Sequence, residues 1–109
     1  MEHRDLLAGF VRLHILHHAT EGEVYGQWMI EELARHGYKL SPGTLYPMLH
    51  TMERLGYLVS SKQSIGRTFR RVYQATPLGH EALEIAQTRV RELVGEIHPR
   101  GKPKNEGPK

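Results

Sequence analysis

Three histidines near the start of the chain have a spacing that can bind a metal ion. His14, His17 and His18 are three and four residues apart, so on a helix they share one face. A histidine pair at i and i+4 can chelate zinc or a similar divalent ion, and Glu21 and Glu23 follow as candidate carboxylate ligands. The more usual role of histidines on an apolar face is as satisfied core or interface groups, and a pH-sensitive interface is a further alternative. A divalent metal site is therefore one of several interpretations.

Basic side chains in the middle of the chain are the second group of interest. The 109 residues include 15 Lys and Arg and 12 Asp and Glu, giving a formal charge of +3. Residues 41–76 alone carry a net +4, whereas residues 1–40 carry −2 and residues 77–109 carry +1. This concentration is typical of a surface that binds a polyanion such as DNA. On charge alone, an ordinary solvated face explains the pattern as well.

The residues that the chain lacks exclude several classes of function. It has no cysteine, so disulfides, thiolate zinc sites and a cysteine nucleophile are excluded. It also lacks a Gly-x-Ser-x-Gly elbow and a phosphate-binding glycine loop, and Asp5 is its only aspartate, so we do not expect an enzyme. No apolar run approaches the roughly 20 residues of a membrane span, and the acidic start does not suit a signal peptide. We expect one small cytoplasmic domain.

The period of the apolar residues predicts the elements that position these side chains. A first helix is predicted from Arg4 to Ala19, with an apolar face formed by Leu6, Leu7, Phe10, Val11 and Leu13. A second helix over residues 24–36 and a third from Pro42 to Leu55 form a helix-turn-helix. Strands at residues 57–61 and 68–75, joined by a loop at residues 62–67, form a hairpin. The expected fold is mostly α with a small β-hairpin: a winged helix-turn-helix.

The third helix divides into two faces. Ser41 and Pro42 supply its N-cap and first turn. One arc is apolar and consists of Leu45, Met48, Leu49, Met52 and Leu55. The other carries small polar and basic groups, namely Thr44, Pro47, His50, Thr51 and Arg54. A helix with such a free face suits the major groove of DNA, which admits a helix and offers donors and acceptors.

A fourth helix is predicted from Thr76 and Pro77 to about Ile97. Its apolar residues span about half the helical wheel, more than the stripe of about 100° that packing on one domain requires. We therefore expect a homodimer that buries Leu83, Ala86, Val90, Leu93, Val94 and Ile97. The resulting organisation is a DNA-binding domain at residues 1–76, a C-terminal dimerisation helix at residues 77–97 and a disordered basic tail at residues 98–109.

Two stretches of the chain resemble a known family. HGYKLSPGTLYPMLHTMERLGYL, residues 36–58, and GRTFRRVYQATPLG, residues 66–79, are similar to the PadR family of bacterial transcriptional regulators, in its short branch with one C-terminal helix. The resemblance extends over roughly residues 5–97. It implies a dimeric winged helix-turn-helix that represses genes by binding operator DNA and is released by an effector, often a small aromatic molecule. The chain departs from the family pattern at Phe69 and Val72, in the wing.

The resemblance also suggests which residues contact DNA. By position, Ser41, Thr44, Tyr46 and Pro47 correspond to the recognition helix, and Gly66, Arg67, Arg70 and Arg71 to the wing. From their chemistry, we expect Ser41 and Tyr46 to donate to phosphates, and Thr44, His50, Thr51 and Arg54 to reach base edges. The wing residues Lys62, Arg67, Arg70 and Arg71 would supply salt-dependent affinity.

Two points stay open in the sequence. Adjacent strand residues face opposite ways, so we expect only one of Arg70 and Arg71 to touch DNA. The effector is either a small aromatic molecule or a metal ion bound by the histidines of the first helix. The alternative function is a winged-helix module that binds metal or protein and does not bind DNA.

Overall fold

The computed structural model describes residues 2–98, which form four helices and three strands. The elements in chain order are α1 (Arg4–Glu21), β1 (Val24–Tyr25), α2 (Gly26–Arg35), α3 (Pro42–Arg54), β2 (Leu58–Ile65), β3 (Thr68–Ala75) and α4 (Pro77–Ile97). The mostly helical fold with a small antiparallel sheet confirms the predicted class. Residues 99–109 of the predicted disordered tail lie outside the described part of the chain.

The strands form one antiparallel sheet in the order β1-β3-β2. The predicted hairpin is confirmed, but the predicted loop at residues 62–67 is wrong, since β2 continues to Ile65 and pairs with Thr68 of β3. Only Gly66 and Arg67 form the turn, and Gly66 has a φ of 58°, which suits the first central residue of a type II′ hairpin turn. The mostly polar residues 62–65 belong to β2 because their backbone pairs with β3. Their side chains show no clear apolar alternation, so the sequence did not indicate a strand there.

The second helix begins later than the sequence predicts. Val24 and Tyr25 are a short strand that pairs with Tyr73 and Val72 of β3, and α2 starts at Gly26. A two-residue strand is too short to produce a periodic signal, and its partners lie far along the chain. Tertiary pairing therefore overrides the local helical pattern at these residues.

The hydrophobic core lies between α1, the helix-turn-helix and the sheet. Its members from α1 are Val11, Ile15, Leu16 and Ala19, and they pack with residues of the other elements that include Met29, Leu33, Leu45, Leu49, Met52, Leu58 and Tyr73. The predicted apolar face of α1 is partly wrong, because Leu6 is 76% exposed and Phe10 is 40% exposed. The first turns of α1 precede the part of the helix that packs against α2 and the sheet, so burial begins at Val11.

The turn between α2 and α3 sets the angle of the recognition helix. Gly37 has a φ of 90°, and the amide of Tyr38 donates to the carbonyl of Leu33 at 2.9 Å, which ends α2. Ser41 is the N-cap residue of α3, and its carbonyl accepts from the amide of Leu45 at 2.9 Å. The helix-turn-helix predicted from Gly37 and the Ser41-Pro42 pair is therefore present.

The N-terminal end of α4 is fixed to the domain, and its C-terminal part extends away from it. The Thr76 hydroxyl accepts from the amide of Gly79 at 3.0 Å and donates to the carbonyl of Gly56, which ties the beginning of α4 to the end of α3. Gly79 is buried, whereas every residue from Arg91 to Ile97 is exposed. The described part of the molecule consequently extends over 66 Å along its longest axis. Within this part, no helix combines the length and apolar character needed to span a membrane.

Candidate DNA-binding surface

The free side of α3 is a ridge of three exposed side chains. Pro47, His50 and Arg54 recur every three or four residues and are all exposed, while Leu45, Leu49 and Met52 on the opposite side are buried. The apolar side fixes the helix to the core and leaves the ridge open to solvent. Pro47 lies inside the helix and cannot donate the bond that an amide there would make to the carbonyl of Gly43. This ridge can enter a groove of DNA without any rearrangement of the core.

The other α3 residues in the predicted site lie nearer to the protein. Ser41 is exposed and its hydroxyl donates to the hydroxyl of the half-buried Thr44 at 3.4 Å. Thr51 is half-buried and lines a cavity of about 240 Å³ between α3, α1 and α4. Both threonines were predicted to contact bases. Thr44 lies at the start of α3, and Thr51 lies on the side of α3 that faces the protein.

Tyr46 packs on the first residue of α2. The Tyr46 ring is half-buried against Gly26, and a Cβ on Gly26 would lie 2.8 Å from the Tyr46 Cε1 atom and nearer still to the hydroxyl. Because only glycine leaves room for the ring, this contact sets the distance between the two helices. Sequence reasoning missed Gly26. The signal that could have identified it is a glycine inside the predicted second helix, directly after the Val24-Tyr25 pair.

The wing presents its basic residues on two faces and at its tip. Arg67 lies exposed in the turn, and Lys62 pairs directly across the ladder from Arg71, so these two exposed side chains share a face. Within residues 2–98, the salt bridges of the protein involve no basic residue of the wing. The positive charge of this hairpin is therefore available to an external anion. Phe69 lies on β3 near the tip of the wing, and its side chain is 69% exposed.

The face that carries Arg71 is tied to the recognition helix. The Arg71 guanidinium donates to the Ser60 hydroxyl at 3.0 Å, and this hydroxyl donates to the Glu53 carboxylate of α3 at 2.7 Å. The Ser60 amide donates to the same carboxylate oxygen at 3.1 Å. Nearby, burial and the Glu53 charge raise the pKa of Tyr73. Glu53 and Ser60 join α3 to the wing across seven residues, a pairing that no helical or strand period could reveal.

Arg70 is held on the opposite face of the wing. Its guanidinium carbon lies 3.6 Å from the centroid of the Tyr25 ring, and its Nε donates to the Gln63 side-chain oxygen at 3.0 Å. A cation stacked on an aromatic ring and hydrogen-bonded to an amide is restrained in position. The two adjacent arginines therefore have different surroundings, with Arg70 half-buried and Arg71 exposed.

The three histidines of α1 do not all come together. His14 is half-buried, and its ring packs in tilted contacts against His36 and Tyr38, with ring centroids 4.9 Å and 5.4 Å apart. His17 and His18 have centroids 4.9 Å apart and lie beside Glu21. The structure thus separates His14 from the pair formed by the other two.

Burial and neighbouring charges alter the titration of this region. Burial lowers the pKa of His14, and the His36 imidazole lowers it further. Burial also lowers the pKa of His18, reinforced by His17 and opposed by Glu32 and Glu21. Burial acts to raise the pKa of Glu32, but the hydrogen bond with His36 and the charge of Arg35 outweigh it, so the net shift is downward. The two shifted imidazoles favour the neutral form.

The predicted dimerisation residues form one side of α4. Leu83, Ala86 and Val90 are half-buried and line a groove of about 280 Å³ whose opposite wall, from α1, is formed by Phe10, Leu13, His14 and His17. Leu93, Val94 and Ile97 lie beyond this groove and are exposed by 44%, 51% and 59%. One side of the distal half of α4 is therefore an apolar surface without cover from the described part of its own chain.

Comparisons with known proteins agree with this architecture. The sequence model of the family described as "Transcriptional regulator PadR-like family" matches residues 15–85. The chain is similar to "Transcriptional regulator Rv3488" of Mycobacterium tuberculosis, with 50% identity over 94 residues that cover 86% of this chain and 88% of the relative.

Solved structures of regulators have a similar fold. A PadR family regulator from Eggerthella lenta has a TM-score of 0.76 at 27% identity, covering 85% of this chain and 82% of the other. A regulator from Clostridium thermocellum has a TM-score of 0.77 at 24% identity, covering 90% and 99% respectively, and so shares the fold.

Proposed function

The chain belongs to the PadR-like family of transcriptional regulators, and from this membership we propose that it is a repressor that binds pseudo-palindromic operator DNA as a homodimer. The observation that carries the proposal is the exposed ridge of Pro47, His50 and Arg54 on α3, which lies beside a basic wing. Members of this family are regulators rather than enzymes. The site of action is the cytoplasm, where a bacterial chromosome lies.

In the proposed complex, the ridge of α3 enters the major groove. His50 and Arg54 can donate to base edges there, and each good base contact contributes about 1–3 kcal/mol of discrimination. Ser41 at the exposed N-terminus of α3 donates to a phosphate, which orients the helix without reading sequence. Thr44 contributes at the margin of the ridge, whereas Thr51 lines the cavity between α3, α1 and α4. Tyr46 acts chiefly through its contact with Gly26, which positions α3.

The wing supplies contacts to the phosphate backbone. Lys62 and Arg71 share the face that is joined to α3 through Ser60, and Arg67 extends from the turn. We assign phosphate binding to these three residues. Arg70 is already stacked on Tyr25 and bonded to Gln63, so its role is to stiffen the wing. Of the two adjacent arginines, Arg71 is the one that touches DNA.

The homodimer forms through the exposed apolar side of α4. Burial of Leu93, Val94 and Ile97 against a second copy removes apolar surface from water, which is the main driving force for association. A twofold dimer presents two recognition helices to half-sites that lie about one turn of DNA apart, roughly 34–36 Å. This geometry is the reason for proposing a pseudo-palindromic operator.

The groove between α1 and α4 is the proposed place for a small aromatic effector. Its volume of about 280 Å³ is close to the lower end of small-molecule sites, which begin at about 300 Å³. Its walls combine apolar side chains such as Phe10 and Leu83 with the imidazoles of His14 and His17. A ligand there contacts the dimerisation helix directly and can change its angle to the domain.

The experiment that tests the proposal is a DNA-binding titration at several salt concentrations. Fluorescence anisotropy is measured on duplexes from the region upstream of the protein's own gene, with the wild type and with Lys62→Ala and Arg67→Ala. Each variant should lower the slope of log K against log salt by about two, because one phosphate contact is lost from each protomer of the dimer. Arg89→Ala is the matched control, since it removes a positive charge from the exposed Arg89–Glu92 pair on α4 and should keep the wild-type slope.

Two results would contradict the proposal. One is a salt slope near zero for the wild type, which removes phosphate neutralisation as the source of affinity. The other is a folded protein that binds none of the duplexes at low salt. Either result favours the alternative of a winged-helix module that binds metal or protein without DNA.

A further inference from the structure

We propose that His17, His18 and Glu21 form a binding site for one divalent transition-metal ion such as zinc at the C-terminal end of α1. The ligand atoms of these three side chains all lie within 4.8 Å of one another. Glu21 is four residues after His17 and three after His18, so its carboxylate lies within reach of both rings. The proposal does not depend on DNA binding.

The distances are close to those of a coordination sphere. The Glu21 Oε1 atom lies 3.7 Å from His17 Nε2 and 3.9 Å from His18 Nδ1. Ligands at about 2.0–2.2 Å from a tetrahedral zinc ion are roughly 3.3–3.6 Å apart. Small rotations of the side chains close this difference, since His17 and Glu21 are 48% and 64% exposed. Two nitrogens and one oxygen leave a further position for water or another ligand.

Glu32 of α2 gives the site an outer carboxylate. His18 faces Glu21 through Nδ1, and its other nitrogen, Nε2, lies 3.5 Å from the Glu32 Oε2 atom. A metal-bound histidine commonly donates its second N–H to a carboxylate, which fixes the tautomer and the ring orientation. The Glu32 side chain is only 12% exposed and is itself held by Arg35 at 3.0 Å.

The His18 ring is oriented before any ion binds. The edge of the ring meets Trp28 at 5.2 Å between centroids, with an interplanar angle of 84°. Trp28, Glu32 and the end of α1 therefore present the Nδ1 lone pair of His18 toward Glu21.

This assignment changes the ligand set that the spacing suggests. The pair at i and i+4, His14 and His18, is not the pair that converges, because the His14 ring packs against His36 and Tyr38 instead. The converging histidines are the adjacent His17 and His18, completed by a carboxylate one turn later. An ion bound there joins α1 to the first helix of the helix-turn-helix through His18 and Glu32.

The experiment is a calorimetric titration of the tag-free full chain with zinc chloride, without DNA. The wild type should bind one ion per chain. The His17→Asn/His18→Asn double variant and the Glu21→Gln variant should each bind at least ten-fold more weakly, because coordinating atoms are lost. Glu32→Gln should weaken binding about 10–100-fold, which is the usual effect of removing an outer carboxylate from a metal site. His80→Asn, an exposed histidine on α4, is the matched control and should bind like the wild type.

Circular dichroism of each variant establishes that the fold is retained, and Glu21→Gln, at an exposed position, carries the test if the double variant unfolds. Cobalt titration adds a spectroscopic measurement, in which the wild type should develop visible absorption that Glu21→Gln weakens. The proposal is overturned if Glu21→Gln binds zinc as tightly as the wild type. It is equally overturned if His14→Asn or His36→Asn abolishes binding while Glu21→Gln does not, since the ion would then lie at the other histidines.

Discussion

Replacing Gly79 by alanine tests how α4 is attached to the winged domain. A Cβ at this buried position would lie 3.2 Å from the Tyr57 carbonyl carbon, closer still to its oxygen, and 3.3 Å from Leu16 Cδ1. Ordinary carbon contacts begin at about 3.5 Å, so something must move. The obstacle is backbone, and the same carbonyl accepts from the Thr76 amide at 3.0 Å. The strain therefore cannot be relieved by a side-chain rotation alone.

The magnitude follows from two opposing effects. Alanine favours a helix over glycine by at most about 1 kcal/mol. Overpacking in a closed site costs about 1–3 kcal/mol, and weakening the Thr76–Tyr57 hydrogen bond costs about 1 kcal/mol more. We expect the free energy of unfolding to fall by about 1–3 kcal/mol. At this chain length, each kcal/mol lowers Tm by about 4–8 °C.

The assay is urea denaturation at one fixed protein concentration, because a dimer's apparent stability depends on concentration. Gly9→Ala is the matched control, since a Cβ at Gly9 of α1 would meet nothing within 4 Å. It should raise the free energy of unfolding by about 0.5–1 kcal/mol through helix propensity. The two identical substitutions should therefore act in opposite directions. A Gly79→Ala protein as stable as the wild type would refute the inferred close packing.

Three further substitutions test other parts of the molecule. Val94→Asp places a charge on the exposed apolar side of α4 and should shift sedimentation from dimer to monomer, with weaker DNA binding; an unchanged dimer would contradict the proposed interface. Gly26→Ala displaces the Tyr46 ring and should destabilise the protein by about 1–3 kcal/mol in urea, and adding Tyr46→Ala should recover part of this loss if the two side chains clash. His50→Ala should reduce the preference among operator base substitutions by about 1–3 kcal/mol in competition binding, whereas equal weakening on all sequences would assign His50 to phosphate.

The elements that the sequence predicted well have strong local signals. The starts of α3 and α4 follow from the pairs Ser41-Pro42 and Thr76-Pro77, and the Thr76 side chain does cap its helix. Their apolar periods are long enough to define a face. The wing was predicted as a hairpin because β-branched and aromatic residues flank its turn.

The features that the sequence did not predict depend on distant partners. β1 exists because Val24 and Tyr25 pair with residues of β3, and two residues are too few to show a strand period in the sequence. The extension of β2 to Ile65 depends on the ladder with β3 rather than on apolar alternation. In the histidine cluster, helical spacing identified the α1 residues, but Glu32 comes from α2. Side-chain relations between elements require the tertiary structure.

The hydrogen-bonded chain from Arg71 through Ser60 to Glu53 joins the wing to the recognition helix. Neither can be tilted alone without breaking a contact with a carboxylate. In the proposed dimer, we therefore expect a regulatory signal to leave the relative orientation of α3 and the wing unchanged within each protomer. The separation and relative rotation of the two protomers are then set by how the two α4 helices pack on each other, beyond the tightly packed start of α4 at Gly79. Release from an operator would then follow from a change in the distance between the two recognition helices, while each winged domain keeps its shape.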